Sequence, residues 1–259
     1  METDESTQAN LIEAGFRFGD KGTHTSRTMM LAELTELLDA LPETAPRQAY
    51  AEAIIEDNLL GKQTRATRKL TNQRLGELYG LTPTLPLFAV LRRAWARDQP
   101  GRPLIALLCA LARDPLLKAS QQAVLPLPAG AELMRSSLSG ALRAATGHRL
   151  NDSILDKVAR NTASSWSQSG HLEGRVRKIR QQVTPTPGAL AYAAWLGSIE
   201  GLAGEHLLNS QWARVLDHSP VELLDLAFRA KSIGLLNVSA GGGIIEIDVR
   251  PLEMTEGAH

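Results

Sequence analysis

The stretch "DNLLGKQTRATRKLTNQR", residues 57–74, gathers Lys62, Arg65, Arg68, Lys69 and Arg74, with no acidic residue between Gly61 and Arg74. Cations at this density suit phosphates, because each one that meets a phosphate releases condensed counterions. At 100° per residue, Arg65, Arg68, Lys69 and Asn72 fall on one helix face, and Ala66, Leu70, Leu75 and Leu78 cover the other. Arg74 lands on the apolar side, where its stem is expected to snorkel along the packed face. Lys62 and Thr64 stand at the helix start, where free N–H groups and the positive dipole end also attract anions. The alternative is a solvated face that pairs with the preceding acidic segment. There Glu33, Glu36, Asp39, Glu43, Glu52, Glu56 and Asp57 are set against Arg47 alone.

A second set lies in "NDSILDKVARNTASSWSQSGHLEGRVRKIR", residues 151–180. A wheel places Ile154, Leu155, Val158, Ala159 and Trp166 on the buried arc of a helix. Lys157, Arg160, Asn161, Ser164 and Gln168 take the exposed arc. Such a row suits major-groove readout, since Arg can address guanine and Asn or Gln adenine. Arg175, Arg177, Lys178 and Arg180 follow at once, where a wing would meet flanking phosphates. The competing reading is an ordinary amphipathic helix with a basic turn after it.

Residues for covalent or metal chemistry are sparse. His171 and Glu173 form an H-x-E, but a zinc deaminase also needs a cysteine pair, and Cys109 is the single cysteine. His24, His148, His171, His206, His218 and His259 show no ligand spacing, and no serine sits in a nucleophile elbow. "AGGG", residues 240–243, lacks the following helix and the Lys-Ser/Thr of a phosphate loop, so it reads as a turn. No catalytic residue, metal or cofactor is expected.

The elements that would hold these residues read as mainly α. Helices are expected from Ser26 to Pro42, from Pro46 to Gly61, from the Thr64 cap to Gly80, then over "LPLFAVLRRAWARD" and "PLIALLCALARD". Pro and Gly in "QQAVLPLPAGAE", residues 121–132, mark a seam. Two further helices and an alternating basic segment then give the order of a winged helix-turn-helix unit, with Ser153 and Asp156 as a capping box for the second. Ser219, Pro220 and Glu222 start a later helix. A closing hairpin places Ile245, Ile247 and Val249 on one face, and Glu246 and Asp248 on the other. Those acids would repel phosphate, so this hairpin is expected to pack or to bind protein. The resulting organisation is a disordered segment 1–10, an all-helical bundle 11–125 and a winged-helix-like α+β domain 126–259.

The chain has 259 residues and a formal net charge of zero, so a uniformly basic nucleic-acid sponge is excluded while segregated patches remain open. Its acidic start is unlike a signal peptide, and its most apolar run is too short to span a bilayer. One cysteine builds no disulfide frame. The expectation is a cytoplasmic protein without a membrane partner.

"ANLIEAGFRFGDKG" followed by "EDNLLGKQTRATRKL" resembles the BrxA family of bacterial BREX phage-defence systems. Asn58, Leu59, Leu60, Thr64 and Thr67 match that family's "N-L-L-x-x-R-T-x-S-T" element, while Gln63 stands where Arg is frequent and Ala66 where Ser is. "LARDPLL", residues 111–117, is similar to its central helix. The resemblance implies a non-catalytic, DNA-binding accessory with a NusB-like helical bundle followed by helix-turn-helix-like elements. Its implied partners are double-stranded DNA and other subunits of the defence system. The alternative is a protein–protein adaptor within that complex, without direct DNA contact.

Overall fold

The structure is a computed structural model describing residues 2–147 and 149–254, with side chains described from Thr7 onward. His148 and His259 lie outside the described residues. The chain is mainly helical, with two small antiparallel hairpins. In order come α1 (Glu2–Ala14), α2 (Leu31–Ala40), α3 (Arg47–Ile55), α4 (Arg65–Tyr79), α5 (Pro86–Arg97) and α6 (Arg102–Arg113). Then follow α7 (Pro115–Val124), α8 (Arg135–Thr146), α9 (Asp152–Gln168) and the hairpin β1 (Leu172–Glu173) and β2 (Ile179–Arg180). The chain closes with α10 (Pro187–Ile199), α11 (Gln211–Arg214), α12 (Pro220–Ser232) and the hairpin β3 (Asn237–Gly241) and β4 (Ile244–Asp248). No described helix is long and apolar enough to cross a membrane.

Helix starts follow local capping chemistry. The Thr64 hydroxyl accepts the Thr67 N–H at 3.1 Å and opens α4, and Gly80, at φ 86°, closes it. Asp114 accepts the N–H groups of Leu116 and Leu117, both at 3.0 Å, with Pro115 at the first position of α7. Ser219 and Glu222 form the expected reciprocal box on α12. For α9 the expected Ser153–Asp156 box is replaced by Asn151, whose Oδ1 accepts the Ile154 N–H at 2.9 Å. Helix α2 begins at Leu31 rather than beside Ser26, because Met30 adopts a left-handed φ of 56°. Helix α3 stops at Ile55, short of Gly61, before Asn58 turns the chain at φ 54°.

The chain divides into two compact units that interleave along the sequence, in place of the expected split at 125. Unit 1 comprises Met1–Phe16, Thr84–Leu108 and Val183–His259; unit 2 comprises Arg17–Pro83 and Cys109–Gln182. The reason is long-range packing. In unit 1, α10 is buried from Gly188 to Gly197 and apolar all round, so α12 and, from far away in sequence, α5 must cover it. Asp98 accepts the Gly188 N–H at 2.6 Å, and a Cβ at Gly188 would collide with that carboxylate. The N-terminus is likewise drawn in: residues 2–14 are helical where a disordered start was expected, with Ala14 and Phe16 buried. Phe16 meets Trp212 edge-on at 5.8 Å.

Unit 2 carries every residue that the sequence singles out for phosphate or base contact. Helices α8 and α9 are joined by a short turn begun by Gly147, at φ 57°. They pack together, and Leu138, Leu142, Leu155, Val158 and Trp166 are buried on them. Strand β2 is central to a small antiparallel arrangement. It pairs with β1 through Leu172↔Arg180 and Glu173↔Ile179, and Ile179 also bridges Glu132. The Leu133 N–H to Lys178 carbonyl bond, at 2.8 Å, extends that second pairing. Gly174, at φ 100°, starts the hairpin turn, where any Cβ would strike the Arg177 carbonyl oxygen.

Candidate nucleic-acid interface

The two basic stretches have different fates. On and before α4 most cations are engaged by the chain itself. Lys62 Nζ lies 3.0 Å from Glu33 Oε1, and Arg65 Nη2 lies 2.6 Å from Glu56 Oε1. Arg68 donates to the Ile55 carbonyl at 2.7 Å, at the negative dipole end of α3. Asn72 accepts from Arg47 Nη2 at 2.8 Å, and Thr64 is spent as the cap. Arg74 is partly buried as expected, and pairs with Glu77 Oε2 at 2.7 Å. Ala66, expected on the packed side, is exposed, and Thr71 is buried instead. Lys69 alone of this group is exposed with no side-chain partner among the described residues. The solvated, self-paired alternative therefore describes α4 better than a phosphate platform does.

On α9 the predicted exposed row is divided. Lys157 and Arg160 are exposed and make no side-chain hydrogen bond or ion pair among the described residues. Asn161 and Gln168 are instead turned to internal use. Asn161 Nδ2 donates to the His24 carbonyl at 2.8 Å, and Gln168 Oε1 accepts the Leu31 N–H at 3.0 Å. Both tie the segment 24–31 along the helix, which removes them as base readers. Ser164 is half-buried, and Ile154, expected in the core, is 40% exposed.

The hairpin sorts its cations too. Arg180 is buried, with Nε donating to the Val124 carbonyl at 3.2 Å and Nη1 to the Gln181 carbonyl. It closes the end of α7 and cannot meet a phosphate. Arg177 is exposed but donates through Nε at 2.9 Å and Nη2 at 2.5 Å to Glu132 Oε2. That hydrogen bond holds the Glu132 carboxyl below its ordinary range and raises the Arg177 guanidinium. Lys178 Nζ donates to Ser167 Oγ at 2.9 Å, and burial lowers its ammonium pKa. Arg175 is exposed and unpartnered among the described residues, and Val176 beside it is 91% exposed.

Between α8, α9 and the hairpin runs an open groove of about 520 Å³. Leu133, Leu138, Ala159 and Ala163 form its floor. Arg160, Arg175, Lys178 and Arg135 stand around it, Arg135 pairing with Asp156 at 2.6 Å. A concave apolar floor with a cationic rim favours an anion that also presents apolar surface.

One constellation escaped the sequence reading. His24 Nε2 lies 2.8 Å from Ser165 Oγ, and His24 Nδ1 lies 2.9 Å from Asp114 Oδ2. The connectivity is that of an acid–base–nucleophile triad. All three residues are at most 1% exposed, so no substrate reaches them. Ser165 Oγ also takes the Met29 N–H at 2.8 Å and reaches the Asn161 carbonyl at 3.0 Å, so its capacity is filled by the fold. Burial raises the Asp114 carboxyl, but the His24 charge and its hydrogen bonds, with those from the Leu117 and His24 N–H groups, bring it below its usual value. The group is a lock that seats residues 22–31 on α9. No sequence signal links three residues so far apart.

His171, read as half of an H-x-E, is buried with Nδ1 2.8 Å from Ser169 Oγ and its ring 4.8 Å from that of Trp166. Among the described residues no group of three His, Cys, Asp or Glu side chains could hold a metal ion. In unit 1, Asp248 is held down to about 2 by its hydrogen bonds to Arg250. Set against protein-family models and against curated proteins, the chain matches none.

Proposed function

We propose that this chain is a non-catalytic, duplex-DNA-binding protein that works through α9 and the β1–β2 hairpin, with α4 in a supporting role at most. The observation that carries the reading is the cationic groove, with Arg160 and Arg175 left unpaired around it among the described residues, and Lys157 likewise unpaired on the same helix as Arg160. Topology supports it as well. Helix α7, the segment 130–133 paired with β2, α8, α9, β1 and β2 follow in the order of a winged helix-turn-helix unit, with β2 central. In this reading α9 lies in the major groove and the hairpin meets the flanking backbone. Among the described residues no carboxylate pairs with Lys157 or Arg160, as a polyanion surface needs. The role as an accessory of a BREX-type phage-defence complex, and a NusB-like character for the helical part, rest on the resemblance alone.

A fluorescence-anisotropy titration of labelled duplex at several salt concentrations tests this. With about four phosphates neutralised, log affinity falls against log salt with a slope near −4. A flat response, or no binding to duplex at low salt, refutes the proposal.

A second reading, a protein adaptor, is favoured by unit 1. Helix α12 exposes Val221 and Phe228, with Leu224 half-buried between them at helical spacing. Co-purification of partner proteins from nuclease-treated lysate separates the two, because a DNA-tethered assembly disperses and an adaptor keeps its partners.

A further inference from the structure

We propose that the groove between α8, α9 and the β1–β2 hairpin binds a small organic anion with an apolar body, and that this ligand and duplex exclude one another. The exclusion rests on the duplex reading above; the ligand site itself does not. Duplex accounts for the rim of the groove, where Arg160 and Arg175 stand unpaired among the described residues. It does not account for the floor. Leu133, just before α8, and Leu138, on it, join Ala159 and Ala163 of α9 there, and none of the four side chains can donate a hydrogen bond. A phosphodiester pressed onto such a surface would give up water without a hydrogen bond in return.

What a phosphate strand leaves unused suits a small molecule. The groove holds about 520 Å³, and ligand pockets run from about 300 to 1,000 Å³. Ala159 and Ala163 lie four residues apart on one face of α9, and their short side chains leave room above the helix. Val176 lines the groove yet is 91% exposed, and an apolar body lying there would cover it. The charge is complementary as well. Arg135 is paired with Asp156, which leaves Arg160, Arg175 and Lys178 as the cations of the rim. Lys178 donates to Ser167 Oγ, a neutral acceptor that does not offset its charge. Among the described residues no acidic side chain lines the groove. One anionic head at the rim and a hydrocarbon body on the floor use both parts of the site. A neutral hydrocarbon would use only the floor, and a small hydrophilic anion only the rim.

The test uses 2-naphthoate as the probe. Acetate serves as an anion without the body, and 2-naphthalenemethanol as the body without the charge. Isothermal titration of the full-length protein is expected to show one site for 2-naphthoate, favoured about tenfold or more over either control. 2-Naphthoate should also displace labelled duplex, with an inhibition constant equal to its direct Kd. Ala163→Met fills the floor and Arg175→Ala removes a rim cation, and each should weaken 2-naphthoate binding about fivefold or more. Unchanged thermal melting establishes that the variants fold, and Arg175→Ala, at an exposed position, decides alone should Ala163→Met not fold. No saturable binding, equal affinity for the controls, or binding unaltered in the folded variants overturns the ligand site and leaves the duplex reading to its own titration. Binding in the groove without displacement of duplex overturns the exclusion. A protein that takes 2-naphthoate but no duplex overturns the duplex reading, and the exclusion with it, while the ligand site stands.

Discussion

Arg177 spends two donors, Nε at 2.9 Å and Nη2 at 2.5 Å, on one oxygen of Glu132, so a cation in the hairpin turn is neutralised by a residue from the neighbouring paired segment. Glu132 also supplies the backbone that bridges Ile179, and that bridge does not depend on its side chain. Glu132→Gln should therefore release the guanidinium without undoing the pairing. In anisotropy titrations this variant is expected to bind duplex about threefold more tightly, with a salt slope steeper by about 1. The gain should fade as salt rises, since exposed charges are screened over about 10 Å at 0.1 M. A variant weaker than the parent at low salt would show that the pair is needed to shape the turn.

The two basic stretches should respond differently to charge reversal. Lys157→Glu and Arg160→Glu reverse the charge at positions that have no ion-pair partner among the described residues, and each should weaken duplex binding tenfold or more. Arg65→Glu should alter binding less than twofold, because Arg65 already faces Glu56 across 2.6 Å. Arg68→Ala should act on stability instead, by about 1 kcal/mol, since it strips a donor from the C-terminal end of α3. Anisotropy and urea unfolding on the same four proteins separate these effects. Equal losses of affinity at Arg65 and Arg160 would restore α4 as a phosphate platform.

The contrast shows what was legible in the sequence. Caps with a local partner could be read: Thr64 opens α4 and Ser219 with Glu222 opens α12. The order of two helices and a basic hairpin was visible too, because periodicity and turn residues are local signals. Which cations are free was not, since that depends on partners brought in by the fold. A helix wheel places Asn161 and Gln168 beside Lys157 and Arg160, yet the segment 24–31 lies along that flank and uses both amides. Arg180 looked like a wing residue until the end of α7 was found against it. The interleaving of two units could not be read either, because α10 signals only that it must be covered, not that α5 covers it.

The buried lock predicts a specific pH dependence. Asp114 caps α7 and faces His24, and its folded carboxyl titrates below its ordinary value. A carboxyl depressed on folding contributes stability above its unfolded pKa, near 3.9, and loses it as pH falls through the folded value. Asp114→Ala should cost about 3 kcal/mol at neutral pH, combining a lost cap with a stranded buried partner. Because protonation removes the same contacts from the parent protein, the difference should shrink in urea titrations below pH 4. A gap that stays constant from pH 7 to pH 3 would mean that the carboxylate charge contributes nothing and the side chain acts only by shape.

Asn161 tests whether α9 is a reader or is being held. Its amide donates to the His24 carbonyl at 2.8 Å, seven residues before Leu31, whose N–H donates to Gln168 Oε1 at 3.0 Å. Asn161→Ala leaves that carbonyl without its donor, a loss of about 1–2 kcal/mol. Gln168→Ala should cost a similar amount by freeing the Leu31 N–H. Neither substitution should change the rank order of affinities over a panel of duplex sequences, because neither amide is available to a base edge. Chemical unfolding gives the first quantity and competition anisotropy the second. Full stability combined with a reordered panel would return Asn161 to the DNA surface and require the segment 24–31 to move aside when duplex binds.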